Sequence, residues 1–91
     1  RPADFYWSVN QTRIYLQATD KIDSLQIDLE HTAPNFSHFL VRENDGAWRE
    51  ENETRFEWQL AAGENQLTVR TVNTFGREGR IAKVRVAAAF Q

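Results

Sequence analysis

Six stretches of this chain alternate apolar and polar residues with a period of two. "RIYLQA" sets Ile14, Leu16 and Ala18 against Arg13, Tyr15 and Gln17. "LQIDLE" sets Leu25, Ile27 and Leu29 against Gln26, Asp28 and Glu30. "FLVR" sets Phe39 and Val41 against Leu40 and Arg42. "RFEWQL" sets Phe56, Trp58 and Leu60 against Arg55, Glu57 and Gln59. "LTVRTVN" sets Leu67, Val69 and Thr71 against Thr68, Arg70 and Val72, and "KVRVAA" sets Val84, Val86 and Ala88 against Lys83, Arg85 and Ala87. Successive side chains of a strand point to opposite faces, so this pattern predicts half-buried β-strands. No long segment carries a helical period, which excludes helical folds.

Turn residues divide the pattern into strands. "TAPN" (32–35) carries a proline, "ENDG" (43–46) an Asp-Gly pair that favours a hairpin, and "AAGEN" (61–65) and "FGREG" (75–79) carry glycines. With the short "AWREE" piece, the boundaries predict seven strands, roughly 13–18, 24–31, 37–43, 47–51, 54–60, 66–73 and 81–88. Seven short antiparallel strands in 91 residues predict an all-β, immunoglobulin-like β-sandwich over 12–91. Residues 1–11 read as a linker or N-terminal extension. Phe5, Tyr6 and Trp7 are three consecutive aromatics within it, expected to cover an open end of the sandwich or an adjacent domain, or to form an aromatic contact for a ligand.

Composition narrows the function classes. The net charge of −2 gives no reason to expect nucleic acid. The absence of cysteine removes disulfides, thiolate metal sites and thiol nucleophiles together. No apolar run approaches the ~20 residues of a membrane-spanning helix, so membrane insertion of this segment is not expected. The chain has no methionine, not even at position 1, and is read as one domain of a larger protein.

The stretch "FEWQLAAGENQLTVRTVNTFGREG" (56–79) resembles the E-strand, corner and F-strand of immunoglobulin-like and fibronectin type III-like domains. It is most similar to bacterial accessory domains with the pattern W-x-L-x-x-G-x-N-x-L-x-V-R-x-x-N-x-x-G. Such modules lie at the C-terminus of transglutaminase-like and polysaccharide-processing enzymes, and they also resemble the periplasmic Y-Y-Y domains of sensor proteins. The resemblance covers residues 12–90, and its specific part is 54–79. The chain departs from fibronectin type III in having Leu67 where a corner tyrosine is usual and no tryptophan in the second strand. The resemblance implies a structural motif: Gly63 at a glycine-requiring bend, Asn65 bonded to its own turn, Trp58 and Leu67 closing the core, and Asn73 and Gly76 shaping the next turn. The buried aromatics are then Trp58, Phe56 and Phe39.

The catalytic inventory is sparse. His31 and His38 flank the "TAPNFS" connection, but Glu30 and His31 point to opposite faces, so no metal set forms around them. Ser8, Ser24 and Ser37 occupy no glycine elbow, and adjacent strand residues such as Ser37 and His38 are expected to face apart. Glu50 and Glu51 lie in a short polar edge segment, and Asp20 and Asp23 fit no complete calcium loop. No catalytic residue, cofactor or metal is assigned. Three sequons, at Asn10, Asn35 and Asn52, are discounted because the resemblance is bacterial.

The outward rows carry more information. In an immunoglobulin-like topology the third, sixth and seventh strands share a sheet. Its outer face is then expected to carry Arg42, Arg70, Lys83 and Arg85 beside Leu40 and Val72, a candidate interaction face. The other sheet shows Asp28, Glu30 and Glu57, partly offset by Arg13 and Arg55. The expected function is a non-catalytic accessory module of a secreted, periplasmic or cell-surface protein, whose partners are the other domains of the parent chain. The alternatives are a module binding an anionic polysaccharide, through the basic row or through Phe5, Tyr6, Trp7 and Trp48, and the periplasmic part of a sensor.

Overall fold

A computed structural model describes residues 11–89. The alternating segments form seven strands: β1 (Thr12–Ala18), β2 (Ser24–His31), β3 (Phe36–Glu43), β4 (Arg49–Glu51), β5 (Arg55–Gln59), β6 (Gly63–Asn73) and β7 (Ala82–Ala88). They build two antiparallel sheets, ordered β1-β2-β5 and β4-β3-β6-β7. The third, sixth and seventh strands share the larger sheet.

The sheets meet on the apolar half of each alternation, giving an all-β, sandwich-like arrangement. Ile27, Leu29 and Trp58 of the smaller sheet meet Phe39, Val41, Leu67 and Val69 of the larger one in a single buried cluster. Phe56, expected in the core, is only half-buried, because β5 is an edge strand. The guanidinium of Arg49 lies 5.1 Å from its ring centroid. The same arginine pairs with Glu43 at 2.7 Å and with Glu51 at 3.6 Å. These are inner-face positions, since Arg49 stands opposite Val41 and Glu51 opposite Phe39. One flank of the sandwich is therefore sealed by a cation over an aromatic ring with two carboxylates behind it.

The opposite flank, where β1 comes up to β7, is built differently. Ile14, Val84, Val86 and Ala88 pack against the core but stay partly exposed, and Leu16 keeps 40% of its surface in solvent. No charged side chain closes this side among the described inner-face residues.

The expected hairpin at the Asp-Gly pair joins β3 to β4, while the start of β6 differs from expectation. In the β3–β4 turn the amide of Gly46 donates to the carbonyl of Glu43 (3.0 Å), yet the left-handed residue is Asn44 (φ 54°), not the glycine. Asn tolerates that conformation because its short side chain finds local partners. Here the Asn44 Oδ1 accepts from the Gln66 amide at 2.8 Å, and the Asn44 amide donates to the Gln66 carbonyl at 2.8 Å. The difference from expectation lies at the start of β6. The corner was expected to run to Asn65, but pairing with β7 already begins at Gly63, opposite Ala88. Gly63 has φ +95° and open space where a Cβ would sit, so backbone conformation rather than crowding requires glycine there.

Candidate interaction surface

The outer face of the larger sheet does carry Arg42, Arg70, Lys83 and Arg85, but most of this charge is engaged within the chain. The Nε of Arg42 donates to the Gly46 carbonyl at 2.9 Å, holding the β3–β4 turn. The Nε of Arg85 donates to Gln66 Oε1 at 3.1 Å. Arg70 donates twice to the carbonyl of Gly79, at 3.1 and 2.8 Å, and pairs with Glu78 at 3.3 Å. Lys83 alone of the four has no partner among the described residues. Asp45 and Glu64 line a shallow depression with Asn44 and Gln66, so acid also lies beside the row. The expected basic face is thus a set of struts with one free cation.

Its apolar members separate as well. Leu40 is half-buried between Arg70 and Glu50 in the sheet register. Val72 is 7% exposed and offers a partner almost nothing. The chain turns back after β6, and Glu78 forms a bridge with Val72. Period-two alternation assigned Val72 to solvent without seeing that returning segment. Trp48, 39% exposed, lies in the β3–β4 connection just before β4. Phe5, Tyr6 and Trp7 lie outside the described residues.

The outer face of the smaller sheet is a mutually satisfied polar ladder. Arg55 Nε donates to Asp28 Oδ1 at 2.7 Å and Gln26 Nε2 to Asp28 Oδ2 at 3.1 Å, which hold the Asp28 carboxyl below its ordinary pKa. Tyr15 donates its hydroxyl to Glu30 at 3.0 Å.

The two histidines lie at one end of the sandwich but on opposite sides of its wall. His31 faces inward, stacked on Phe36 with ring centroids 4.1 Å apart and edge-on to Phe39 at 5.6 Å. Its Nδ1 accepts from the Ala33 amide at 3.1 Å. His38 shares the outward parity of Leu40. Among the described residues no three His, Asp or Glu side chains are placed to hold a metal ion. Ser37 and His38 do not face apart as expected. The register shifts between Phe36 and His38, and this bulge brings Ser37 Oγ to 3.0 Å from His38 Nδ1. No carboxylate is bonded to His38 among the described residues, so the ring lacks the orienting third group of a triad.

Burial lowers the pKa of His31 from its ordinary 6.5. The neutral ring is the one that packs and accepts a hydrogen bond. Between the lowered folded value and 6.5 the unfolded chain binds more protons, so this contribution to stability is present above pH 6.5 and lost as pH falls. Urea midpoints measured from about pH 7.5 to about pH 5 are expected to fall in the native chain and to fall less in His31→Phe. Equal slopes would remove His31 as the cause.

The surface that sequence reading passed over is the β6–β7 connection, 74–81. "FGREG" read as a turn, but it also presents Phe75 at 80% exposure, with Ile81 at 47% close behind. The loop is heavily bonded. Asn73 Oδ1 accepts from the amides of Phe75 and Arg77, both at 2.9 Å. The Asn73 amide donates to the Arg77 carbonyl at 3.0 Å, Gly76 donates back to Asn73 at 2.9 Å, and Gly79 donates to Thr71 at 2.8 Å. Gly76 has φ +81°, a conformation glycine adopts without strain. The Thr74 amide donates to Asn35 at 2.7 Å, tying in the β2–β3 connection. The side chains of Arg77 and Arg80 are exposed and have no partner among the described residues. The loop is thus a braced platform carrying two apolar and two cationic side chains. Arg70 is its main strut. Arg70→Ala is expected to cost about 1.5–3 kcal/mol in denaturant unfolding, the range for hydrogen bonds to a charged group, and to speed amide exchange at Gly79 before the strand centres.

No protein-family model, curated protein or solved structure matches the chain.

Proposed function

We propose that this chain is a non-catalytic, immunoglobulin-like accessory module of a larger secreted or periplasmic protein, and that it packs on that protein's catalytic part through the 74–81 loop. The observation that carries this reading is the braced loop itself. An exposed phenylalanine costs solvation, and a segment fixed by hydrogen bonds at Asn73, Gly79 and Thr74 holds it there at little further entropic cost on docking. The strand order supports the immunoglobulin-like assignment, in which the third, sixth and seventh strands share a sheet. The engaged arginines of the outer face favour an apolar contact over a purely ionic one.

The test is the parent protein with and without residues 11–89, together with Phe75→Ser in the full chain. The deletion is expected to lower the stability or activity of the remainder, and Phe75→Ser to reproduce part of that loss without unfolding the module. Unchanged stability and activity in both would refute docking. Titration of the isolated module with an anionic polysaccharide separates the alternative. Saturable binding that Arg77→Ser and Arg80→Ser abolish would favour carbohydrate recognition instead.

A further inference from the structure

Among the described residues the four sheet edges are not equally protected. An edge strand offers unpaired amides and carbonyls to any other strand, and proteins blunt such edges with short length, charge, proline or bulges. β4 has three residues and turns Arg49 and Glu51 inward. β5 has five, with Arg55 and Glu57 on its outer side. β7 carries Lys83 and Arg85. β1 has seven residues, a single charge (Arg13), no proline and no break in its register with β2. It leaves Tyr15 48% and Leu16 40% exposed. It also borders the flank that no charged inner-face side chain seals.

We propose that β1 pairs antiparallel with β1 of a second copy of this chain, joining the two smaller sheets into one six-stranded sheet. The choice of a second copy rests on what a two-fold axis places opposite what. Centred on its middle residue, β1 sets Tyr15 against its own copy, Arg13 against Gln17, Ile14 against Leu16 and Thr12 against Ala18. No like charges face each other, an aromatic pair sits on the axis, and the Ile14–Leu16 pairs extend the core on its open flank. The same operation on the other edges fails on charge. It sets Arg85 against Arg85 in β7, Glu57 against Glu57 in β5 and Glu50 against Glu50 in β4. Like charges directly opposite one another destabilise a strand pair. With the axis on the middle residue, β1 is the edge that meets itself without opposing like charges.

A single strand pair is a small interface, so the dimer is weak and depends on concentration. Sedimentation equilibrium from about 10 μM to about 1 mM is expected to show reversible monomer–dimer exchange. Tyr15→Lys, which puts like charges on the axis, should abolish it. Because the chain has no cysteine, Tyr15→Cys gives one reporter thiol per copy. Residues directly opposite across antiparallel strands have Cα atoms about 4.5–5.5 Å apart, within disulfide reach. Tyr15→Cys should therefore cross-link to a covalent dimer in air-equilibrated buffer, while Arg85→Cys on the β7 edge should not. Both positions are exposed, and circular dichroism checks that each variant stays folded. A native chain that is monomeric across the range overturns the proposal. So does a dimer that survives Tyr15→Lys, or cross-linking of Arg85→Cys to the same extent as Tyr15→Cys.

Discussion

Asn65→Ala is expected to cost about 2–4 kcal/mol of folding stability, lowering the melting temperature by roughly 10–20 °C for a domain of this size. Asn65 is wholly buried, and its amide serves four backbone groups. Its Nδ2 donates to the carbonyls of Ala61 at 2.8 Å, Gly63 at 3.1 Å and Val86 at 3.4 Å, and its Oδ1 accepts from the Ala61 amide at 2.9 Å. These bonds close the β5–β6 corner and fasten it to β7. Alanine leaves the Ala61 amide and carbonyl, both served by this side chain, without it. Unsatisfied buried groups cost about 1–3 kcal/mol each, less what water recovers at the corner. Asn65→Asp distinguishes lost bonds from lost shape. At neutral pH it turns a carboxylate toward three carbonyls and should be at least as destabilising as alanine. Its folded pKa must then rise, so the folded state holds the proton more tightly and stability recovers as pH falls. An aspartate variant less stable at pH 5 than at pH 7, relative to native, would sink this account.

The corner explains an anomaly visible in the sequence. Leu67 stands where the fibronectin type III pattern that this stretch resembles has a tyrosine whose hydroxyl bonds back to the corner backbone. In this chain Leu67 is free to be pure core, and Asn65, two residues earlier on the same inward face, supplies the backbone bonds. That Asn65 would bond its own turn was legible from its place after Gly63. Its reach to Val86 was not, because nothing local says which strand lies beyond.

The same division runs through the molecule. Strand positions followed from period-two alternation, since one face of each sheet meets the core and the other meets solvent. What alternation misses is set by contacts distant in sequence. Val72 was assigned to solvent and is covered. Arg70 looked like a free outward cation and is tied to Gly79. Both depend on the path of the 74–81 loop, which the glycines of "FGREG" mark as a turn without giving its direction. The Ser37–His38 contact depends on a bulge that no residue announces. Phe75 was legible in one respect: an apolar side chain between turn residues has no core to enter, so its exposure could have been read from its position.

Trp58 is the other position where one side chain decides much of the stability. It is wholly buried and packs with Ile27, Leu29, Phe39 and Val41 from both sheets. Trp58→Ala is expected to cost about 3–5 kcal/mol through lost apolar burial and the cavity left behind. In a small domain holding about 5–15 kcal/mol in total, that can bring it to the edge of unfolding. Trp58→Phe should behave differently from a simple truncation. The indole Nε1 is buried without a hydrogen-bond partner among the described residues, and such a donor costs about 1–3 kcal/mol. Phenylalanine leaves a smaller cavity and removes the orphaned donor at the same time. Two terms of opposite sign then compete, and the net loss should stay within about 1–2 kcal/mol. Urea midpoints at unchanged m-value measure both variants. A phenylalanine variant as damaged as the alanine one would mean that the indole edge makes a contact worth more than its unpaired N–H costs. Near-native stability would identify Trp58 as a residue kept for its volume, against the grain of its own polarity.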